Sequence, residues 1–202
     1  MNLDAIVFVA AGLGIAGAFM RSKFPRNTTT NAPMAPARID DRAPEIRSDV
    51  WFNYVPPSIS RLRGRVVVMQ FWRFGCAHCR SAASHLNRWH KAASRKKLEV
   101  IGVHTPKSKQ EKDLSNVLLE TRKLGIDYPV VIDNENYTWD SFGRPDHSTF
   151  CVIDKAGALR YVSNRALDYN ETERLITNLV LEKKSPSSTR RTLVCRPKSV
   201  YS

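Results

Sequence analysis

The hydrophobic pattern between residues 46 and 182 alternates between strands and helices. Continuous apolar runs, typical of strands buried on both faces, occur at 66–72, 100–103 and 130–132. Helical spacing of apolar positions follows the first two runs. These positions are Ala82, Ala83, Leu86, Trp89, His90 and Ala93 in the first helix, and Leu114, Val117, Leu118, Thr121 and Leu124 in the second. Gly125 is placed to end the second helix.

The remainder of this segment predicts a hairpin and a final helix. Two apolar runs at 150–153 and 159–162 flank the turn sequence 154–157. Asn170 and Glu173 have the spacing of an N-cap and its N3 partner. The buried face of that helix is predicted to consist of Leu175, Ile176, Leu179 and Val180. This order of elements predicts an α/β domain with a mixed sheet covered by helices.

The N-terminal segment is apolar and is predicted to be a transmembrane anchor over residues 1–21. The run 5–20 holds sixteen residues without a charge, which span about 24 Å as a helix against a bilayer core of ~30 Å. A cleaved secretory signal is the alternative, although Asp4 rather than a basic residue precedes the run. Residues 22–45 contain four prolines and predict a flexible linker to the domain at 46–182.

The net charge of +13 is concentrated at the C-terminal end. Residues 183–202 contain six basic and no acidic residues, and they predict a disordered, solvated tail. The tail contains no recognisable nucleic-acid-binding module, so we expect no nucleic-acid partner. Basic residues also follow the anchor directly, and the positive-inside rule then predicts the domain on the cytoplasmic side.

Candidate chemistry is concentrated at Cys76-Ala77-His78-Cys79, between the first strand and the first helix. Two thiols three residues apart can close a small disulfide ring. The positive end of the helix dipole favours the thiolate of Cys76, and the thiolate is the nucleophile. Cys79, one turn further on, is expected to be less exposed and to act as the resolving thiol. Half of a zinc site has the same spacing, but no second Cys-x-x-Cys completes one.

His78, between the two cysteines, is the third candidate catalytic residue. An imidazole there can donate a hydrogen bond to the Cys76 thiolate or place positive charge beside it. Stabilising the thiolate stabilises the reduced form and makes the disulfide more oxidising. The alternative is that His78 points into water.

Several motifs resemble thioredoxin-like proteins of the TlpA/ResA (redoxin) type, and most of all the thioredoxin-like domain of DipZ-type proteins. The matching pieces, beside the Cys-Ala-His-Cys motif, are 62–72, 100–106, 124–130, 138–139, 153–155 and 169–173. The resemblance implies a thioredoxin-like three-layer fold and thiol–disulfide oxidoreductase activity on protein thiols or disulfides, without a cofactor. It also implies a bacterial inner-membrane protein with its domain in the periplasm, and a membrane thiol-transport redox partner.

Three positions depart from the family pattern. Ser148 occupies the place of the usual cis-proline. Because a cis bond before a residue other than proline costs ~2.5–4 kcal/mol, we expect a trans or reshaped loop. Gln70 stands where thioredoxin has a buried acid, and it cannot accept the proton of Cys79. His147 replaces an aromatic residue.

These departures leave two further hypotheses. Cys76, Cys79 and His147 together form a candidate site for copper or zinc in a metal carrier or insertion factor. Alternatively, the domain keeps the fold and only docks a partner. Cys151, within an apolar run, is expected to be a buried structural thiol. Cys195 lies in the basic tail, and the sequence assigns it no role.

Overall fold

The structure is a computed structural model that describes residues 38–92, 97–163 and 169–182, together with the backbone of Met20–Arg21. Its strands are β1 (Met20–Arg21), β2 (Val50–Phe52), β3 (Val66–Trp72), β4 (Leu98–His104), β5 (Val130–Ile132), β6 (Phe150–Ile153) and β7 (Leu159–Ser163). Its helices are α1 (Ala77–Ala92), α2 (Lys109–Lys112), α3 (Leu114–Lys123), α4 (Tyr137–Ser141) and α5 (Tyr169–Leu181), with a 3-10 turn at Ile59–Leu62.

The strands form one mixed sheet in the order β1-β2-β5-β4-β3-β6-β7. The central strands β3, β4 and β5 are parallel, and the strands on either side pair antiparallel. Parallel neighbours require crossover connections, which α1 provides between β3 and β4, and α2 with α3 between β4 and β5. The predicted α/β class, with a mixed sheet flanked by helices, is confirmed.

Both faces of the sheet are buried, which explains the continuous apolar runs in the sequence. All seven residues of β3 are buried, and the six apolar ones are divided between two apolar clusters, one on each face of the sheet. Val68 and Trp72 belong to the cluster that includes residues of α1, α3 and α5. Met69 and Phe71 belong to the other cluster, which the turn Ile59–Leu62 and the segment after α4 cover. The carboxyl end of β3 is therefore held rigidly where the cysteine motif begins.

The last helix begins two residues earlier than the sequence predicts, because an N-cap at Asn170 would make Glu171 its first residue. The helix α5 starts at Tyr169, so Asn170 lies inside its first turn and the predicted N-cap is wrong. The Tyr169 ring, in the first turn of the helix, stacks on His85 at 3.7 Å between ring centroids and lies 6.5 Å from the Trp89 ring. Of the predicted buried face, Ile176 and Leu179 are buried, and Leu175 and Val180 pack against the core half-buried.

The end of the segment predicted as a linker packs against the domain. Asp40 N donates to Leu159 O at 2.7 Å, and Leu159 N donates to Asp41 O at 2.9 Å. Arg42 forms a β-bridge with Ala158, and Ala43 is buried. These contacts arise because β7 is an edge strand whose backbone groups pair with the passing chain. Residues 40–43, within the predicted linker, therefore contact the edge of the sheet.

Most of the predicted anchor and the whole basic tail lie outside the described residues. Met20–Arg21, the end of the predicted anchor, form β1, which pairs antiparallel with β2 at the edge of the sheet. Across the described ranges, none of the helices combines the length and the apolar character that crossing a bilayer requires.

Cys151 is fully buried in β6, and burial raises the pKa of its thiol to about 12. The thiol of an unfolded cysteine has a pKa of ~8.5. Between these values the folded chain keeps a proton that the unfolded chain loses, so stability that is complete below pH ~8.5 decreases as the pH rises. Above pH 9, we expect the free energy of unfolding of Cys151→Ala to decrease less steeply with pH than that of wild type, by about 1.4 kcal/mol per pH unit. Urea unfolding of both proteins under reducing conditions from pH 7 to 10.5 measures it, and parallel curves would contradict the prediction.

Candidate active site

Cys76 occupies the N-cap position of α1, with its sulfur at the end of the helix. Arg80 N donates to Cys76 O at 3.1 Å, which is the first hydrogen bond of the helix, and Cys79 N donates to Cys76 Sγ at 3.3 Å. The sulfur thus accepts the bond that a serine or aspartate oxygen accepts in other N-caps. The first turn of α1 contains no acidic residue. The sulfur of Cys76 is half-buried and lies at the positive end of the helix dipole.

Cys79 lies one turn further on and is buried, in agreement with the predicted difference between the two thiols. Burial, together with the hydrogen bond and charge of Cys76, raises the pKa of Cys79 to about 12. The backbone and the charge of Arg73 act in the opposite direction. Cys79 is therefore protonated at neutral pH, and it must lose its proton before it can attack a disulfide.

Glu111 is a buried carboxylate that connects the motif to the loop after β4. Its Oε1 accepts from Arg73 Nη1 at 2.9 Å and from Gly75 N at 3.1 Å. Its Oε2 accepts from Lys107 N at 2.8 Å and from Ser108 N at 3.3 Å. Burial acts to raise the pKa of Glu111, but these hydrogen bonds and the Arg73 charge outweigh it and hold the pKa below its usual range. The carboxylate is therefore ionised.

Beneath the motif, His104 is fully buried against aromatic rings. Its ring lies edge-on to Trp72 at 5.0 Å and stacks on Phe74 at 6.0 Å between centroids. Neither ring nitrogen has a hydrogen-bond partner among the described residues. Burial lowers the pKa of His104 to about 4, with the charge of His147 contributing. A neutral imidazole thus packs against Phe74, which lies two residues before Cys76.

Two further residues that the sequence analysis considered near the cysteines are Gln70 and His78. Gln70 is buried, and its Nε2 donates to Cys79 O at 3.5 Å, so it contacts the helix backbone instead of accepting a proton. His78 is exposed in the first turn of α1, and its carbonyl accepts from the Ser81 hydroxyl at 2.9 Å. The proposed contact between the His78 ring and the Cys76 thiolate stays a prediction.

The loop at 143–148 faces the same edge of the sheet and contains no cis peptide bond among the described residues. Trp139 Nε1 donates to Pro145 O at 2.6 Å, and the Trp139 ring lies 5.8 Å from the His147 ring. His147 also hydrogen-bonds to the Thr105 backbone, while burial and the charges of Lys107 and Arg73 lower its pKa.

The candidate metal site is not formed. Within the ranges that the structure describes, no group of three or more histidine, cysteine, aspartate or glutamate side chains is arranged to hold a metal ion. The ligand set of Cys76, Cys79 and His147 is therefore wrong as a prediction. The physical reason lies in the loop, because His147 is held between the Trp139 ring and the Thr105 backbone.

Ser148 has a backbone φ of +102°, which an L-residue rarely adopts. Its N–H donates to Phe71 O at 2.8 Å. We expect Ser148→Gly to stabilise the fold by about 1 kcal/mol, because glycine adopts this φ without strain. Ser148→Pro removes the donor and fixes φ near −65°, so we expect it to destabilise by at least ~1 kcal/mol. Denaturant unfolding of both variants measures this, and a proline variant as stable as wild type would contradict it.

Comparison with known proteins supports the assignment of the fold and decides the family. The model of the AhpC/TSA family matches residues 39–162, which is more than half of the chain. The chain belongs to the AhpC/TSA family. Relatives of this AhpC/TSA protein include Protein DipZ of Mycobacterium tuberculosis, at 35% identity over 73% of this chain. Because the match covers 23% of DipZ, the chain corresponds to one part of that longer protein.

A second relative is matched over almost its whole length. Thiol-disulfide oxidoreductase YkuV of Bacillus subtilis is 21% identical over 69% of this chain and 94% of YkuV. Among solved structures, a thioredoxin-like superfamily protein superposes with a TM-score of 0.65, 22% identity, and coverage of 71% of this chain and 99% of that chain. The predicted redoxin resemblance and the thioredoxin-like fold are confirmed.

Sequence reasoning missed Arg73 and Glu111 as residues of the site. One signal was present, since Ser108 and Glu111 have the Ser-x-x-Glu spacing of a capping box, and the structure forms that box at α2. The second role of the same carboxylate, towards Arg73 and Gly75, had no local signal. Arg73 is 38 positions and Gly75 is 36 positions from Glu111 in the chain.

Proposed function

We propose that this chain is a thiol–disulfide oxidoreductase that exchanges disulfides with protein substrates through Cys76 and Cys79. The observation that carries the proposal is the placement of the two sulfurs. Cys76 Sγ lies half-buried at the helix N-terminus and accepts from Cys79 N at 3.3 Å, while Cys79 itself is buried. The Cys76 sulfur is thus positioned to react with a substrate, whereas the buried Cys79 sulfur is positioned to react only with Cys76. The name of the relative YkuV agrees with this activity.

In the reducing direction, the Cys76 thiolate attacks one sulfur of a substrate disulfide. The bond from Cys76 to that sulfur forms as the substrate disulfide breaks, and the other substrate sulfur leaves as a thiolate. Cys79 then loses its proton and attacks Cys76 Sγ, which releases the second substrate thiolate and closes the Cys76–Cys79 disulfide. Two electrons pass to the substrate. The oxidising direction is the same sequence reversed.

The direction depends on how well the protein stabilises the thiolate form. The helix N-terminus at Cys76 favours the reduced protein and therefore an oxidant, whereas burial of Cys79 disfavours its thiolate. Equilibration with glutathione buffers, followed by alkylation and gel shift, gives the reduction potential. A value near about −270 mV indicates a reductant, and one near about −120 mV indicates an oxidant.

The test of the activity itself is exchange with a disulfide-bonded protein. We expect the reduced chain to cleave, or the oxidised chain to form, a disulfide in the substrate while the Cys76–Cys79 pair changes state stoichiometrically. Cys151→Ala serves as the matched control, because it removes a thiol that is fully buried away from the motif. A wild-type chain whose two cysteines never join on mild oxidation would overturn the proposal in favour of a domain that only docks a partner.

His78 is proposed to stabilise the Cys76 thiolate. We expect His78→Ala to move the pH midpoint for alkylation of Cys76 upward, because a donor or positive charge beside the sulfur is lost. His85→Ala is the control, since His85 also lies on α1 but stacks on Tyr169. An unchanged midpoint in His78→Ala would remove this role.

We further propose that the N-terminal segment anchors the domain to a membrane, as a single-pass protein of the bacterial inner membrane with its domain in the periplasm. The apolar run at 5–20 supports anchoring, and the resemblance of the sequence motifs to redoxin-type proteins implies the periplasmic side. The basic residues after the run favour the cytoplasmic side. Labelling intact cells with a membrane-impermeant thiol reagent decides the side. Recovery of the full-length chain in the soluble fraction would overturn anchoring.

A further inference from the structure

The Arg73–Glu111 ion pair lies directly beside the backbone of the motif. The Arg73 side chain is 27% exposed and the Glu111 side chain is 3% exposed, so the pair is largely removed from water. Gly75, next to Cys76, makes this approach possible. A Cβ at Gly75 would lie 2.6 Å from Arg73 Nη1 and 2.7 Å from Glu111 Oε1, closer than non-bonded atoms can stand. The pair therefore occupies the space that any other residue at position 75 would fill.

The geometry also fixes the pair on several sides. Glu111 accepts four hydrogen bonds, of which two come from the loop residues Lys107 and Ser108. The other two come from Arg73 and Gly75, on either side of Phe74. The Arg73 carbonyl meanwhile accepts from Cys76 N at 3.2 Å. Through these bonds Glu111 holds Arg73 in one orientation, and Arg73 is joined to the residue that bears the nucleophile.

We propose that the buried Arg73–Glu111 pair is a positioning device that sets the redox equilibrium of the Cys76–Cys79 couple through opposed charges. This inference rests on the proposed function. Arg73 places positive charge near the sulfurs and favours their thiolates, and Glu111 limits that effect by compensating the charge. Because Glu111 is almost completely buried and Arg73 is only 27% exposed, water screens these charges less than it screens a surface pair. Removing Arg73 and removing Glu111 are therefore expected to shift the equilibrium in opposite directions.

The expected effects have opposite signs. Arg73→Met leaves the Glu111 carboxylate uncompensated, which destabilises thiolates, so the dithiol is oxidised more readily by glutathione disulfide. We expect its equilibrium constant for oxidation to rise roughly tenfold. Glu111→Gln leaves the arginine uncompensated, and we expect that constant to fall roughly tenfold. The double variant carries neither charge and is expected to return close to the wild-type value.

The experiment equilibrates the full-length chain and each variant with glutathione buffers and quantifies the oxidised fraction after alkylation. Arg88→Met and Glu173→Gln are matched controls, because that pair, at 3.2 Å, is about half exposed. We expect less than a twofold change in these controls. Far-UV circular dichroism identifies any variant that does not fold. If Glu111→Gln is unfolded, Arg73→Met is compared with Arg73→Lys, which keeps the charge and is expected to remain near wild type.

A purely structural role predicts a different result. Loss of packing would lower the stability of both single variants and move their equilibria in the same direction or not at all, and either outcome overturns the inference. An equal shift in Arg73→Lys and Arg73→Met would overturn it as well. Failure of the proposed function is distinguishable, because the wild-type chain would then form no Cys76–Cys79 disulfide with glutathione.

Discussion

Cys76→Ser is expected to abolish disulfide exchange, whereas Cys79→Ser is expected to stop the reaction halfway. Without Cys76 the buried thiol of Cys79 is left, and neither its exposure nor its protonation state suits attack on a protein substrate. We expect the rate to fall by at least about a thousandfold, because a hydroxyl is not ionised at neutral pH. The measurement is turnover of a disulfide-bonded protein followed by its thiol content.

The second variant tests the division of roles. In Cys79→Ser the nucleophile is intact, so the first step proceeds and the mixed disulfide with Cys76 accumulates. Non-reducing electrophoresis and mass spectrometry detect this adduct, and adding a reductant should release it. The order of roles would be reversed if Cys76→Ser accumulated the adduct and Cys79→Ser did not.

Resolution of the mixed disulfide is expected to accelerate about tenfold per pH unit between pH 6 and pH 9. The pKa of Cys79 is raised to about 12, chiefly by burial, so only a small fraction of Cys79 is thiolate. Below that pKa, this fraction grows tenfold for each unit by which the pH rises. The hydrogen bond and charge of Cys76 also raise this pKa, and they weaken once Cys76 is in the mixed disulfide. Burial remains.

The measurement uses a preformed mixed disulfide between Cys76 and a chromogenic thiol, with release followed by stopped flow. Cys79→Ser provides the background rate at each pH. A rate that is independent of pH below pH 8 would contradict the prediction and would show that an internal base takes the proton. Gln70 cannot be that base, because its amide contacts Cys79 O and does not ionise.

The central part of the fold could be predicted from the sequence because it obeys local rules. Strand Val66–Trp72 coincides with the apolar run from which it was predicted. Helix Leu114–Lys123 ends before Gly125, whose φ of +60° suits a C′ position, as the sequence predicted. Hydrophobic periodicity records burial directly, so it is readable without the structure. The errors occurred where a distant contact outweighed the local signal. Asn170 lies inside its helix, and the preceding residue Tyr169 stacks on His85, which is 84 positions away in the chain.

The same distinction holds for the site. The pair Cys76 and Cys79 could be found because spacing and the strand-to-helix boundary are written in consecutive residues. The cluster of His147 with both cysteines was wrong, because loop 143–148 takes its course from Trp139 and Thr105. Glu111 was missed as a site residue because all of α1 and β4 separate it in sequence from its hydrogen-bond partners Arg73 and Gly75.

The sequence by itself determined that a strand passes into a helix at Cys76, and that two thiols lie one turn apart there. Both depend on interactions within a few residues. Only the tertiary structure decided how deeply Cys79 is buried, which carboxylate faces Arg73, and where the Ser148 loop lies. The burial and the charge compensation of a residue depend on neighbours that come from separate strands and loops. Those neighbours are brought together only when the chain folds.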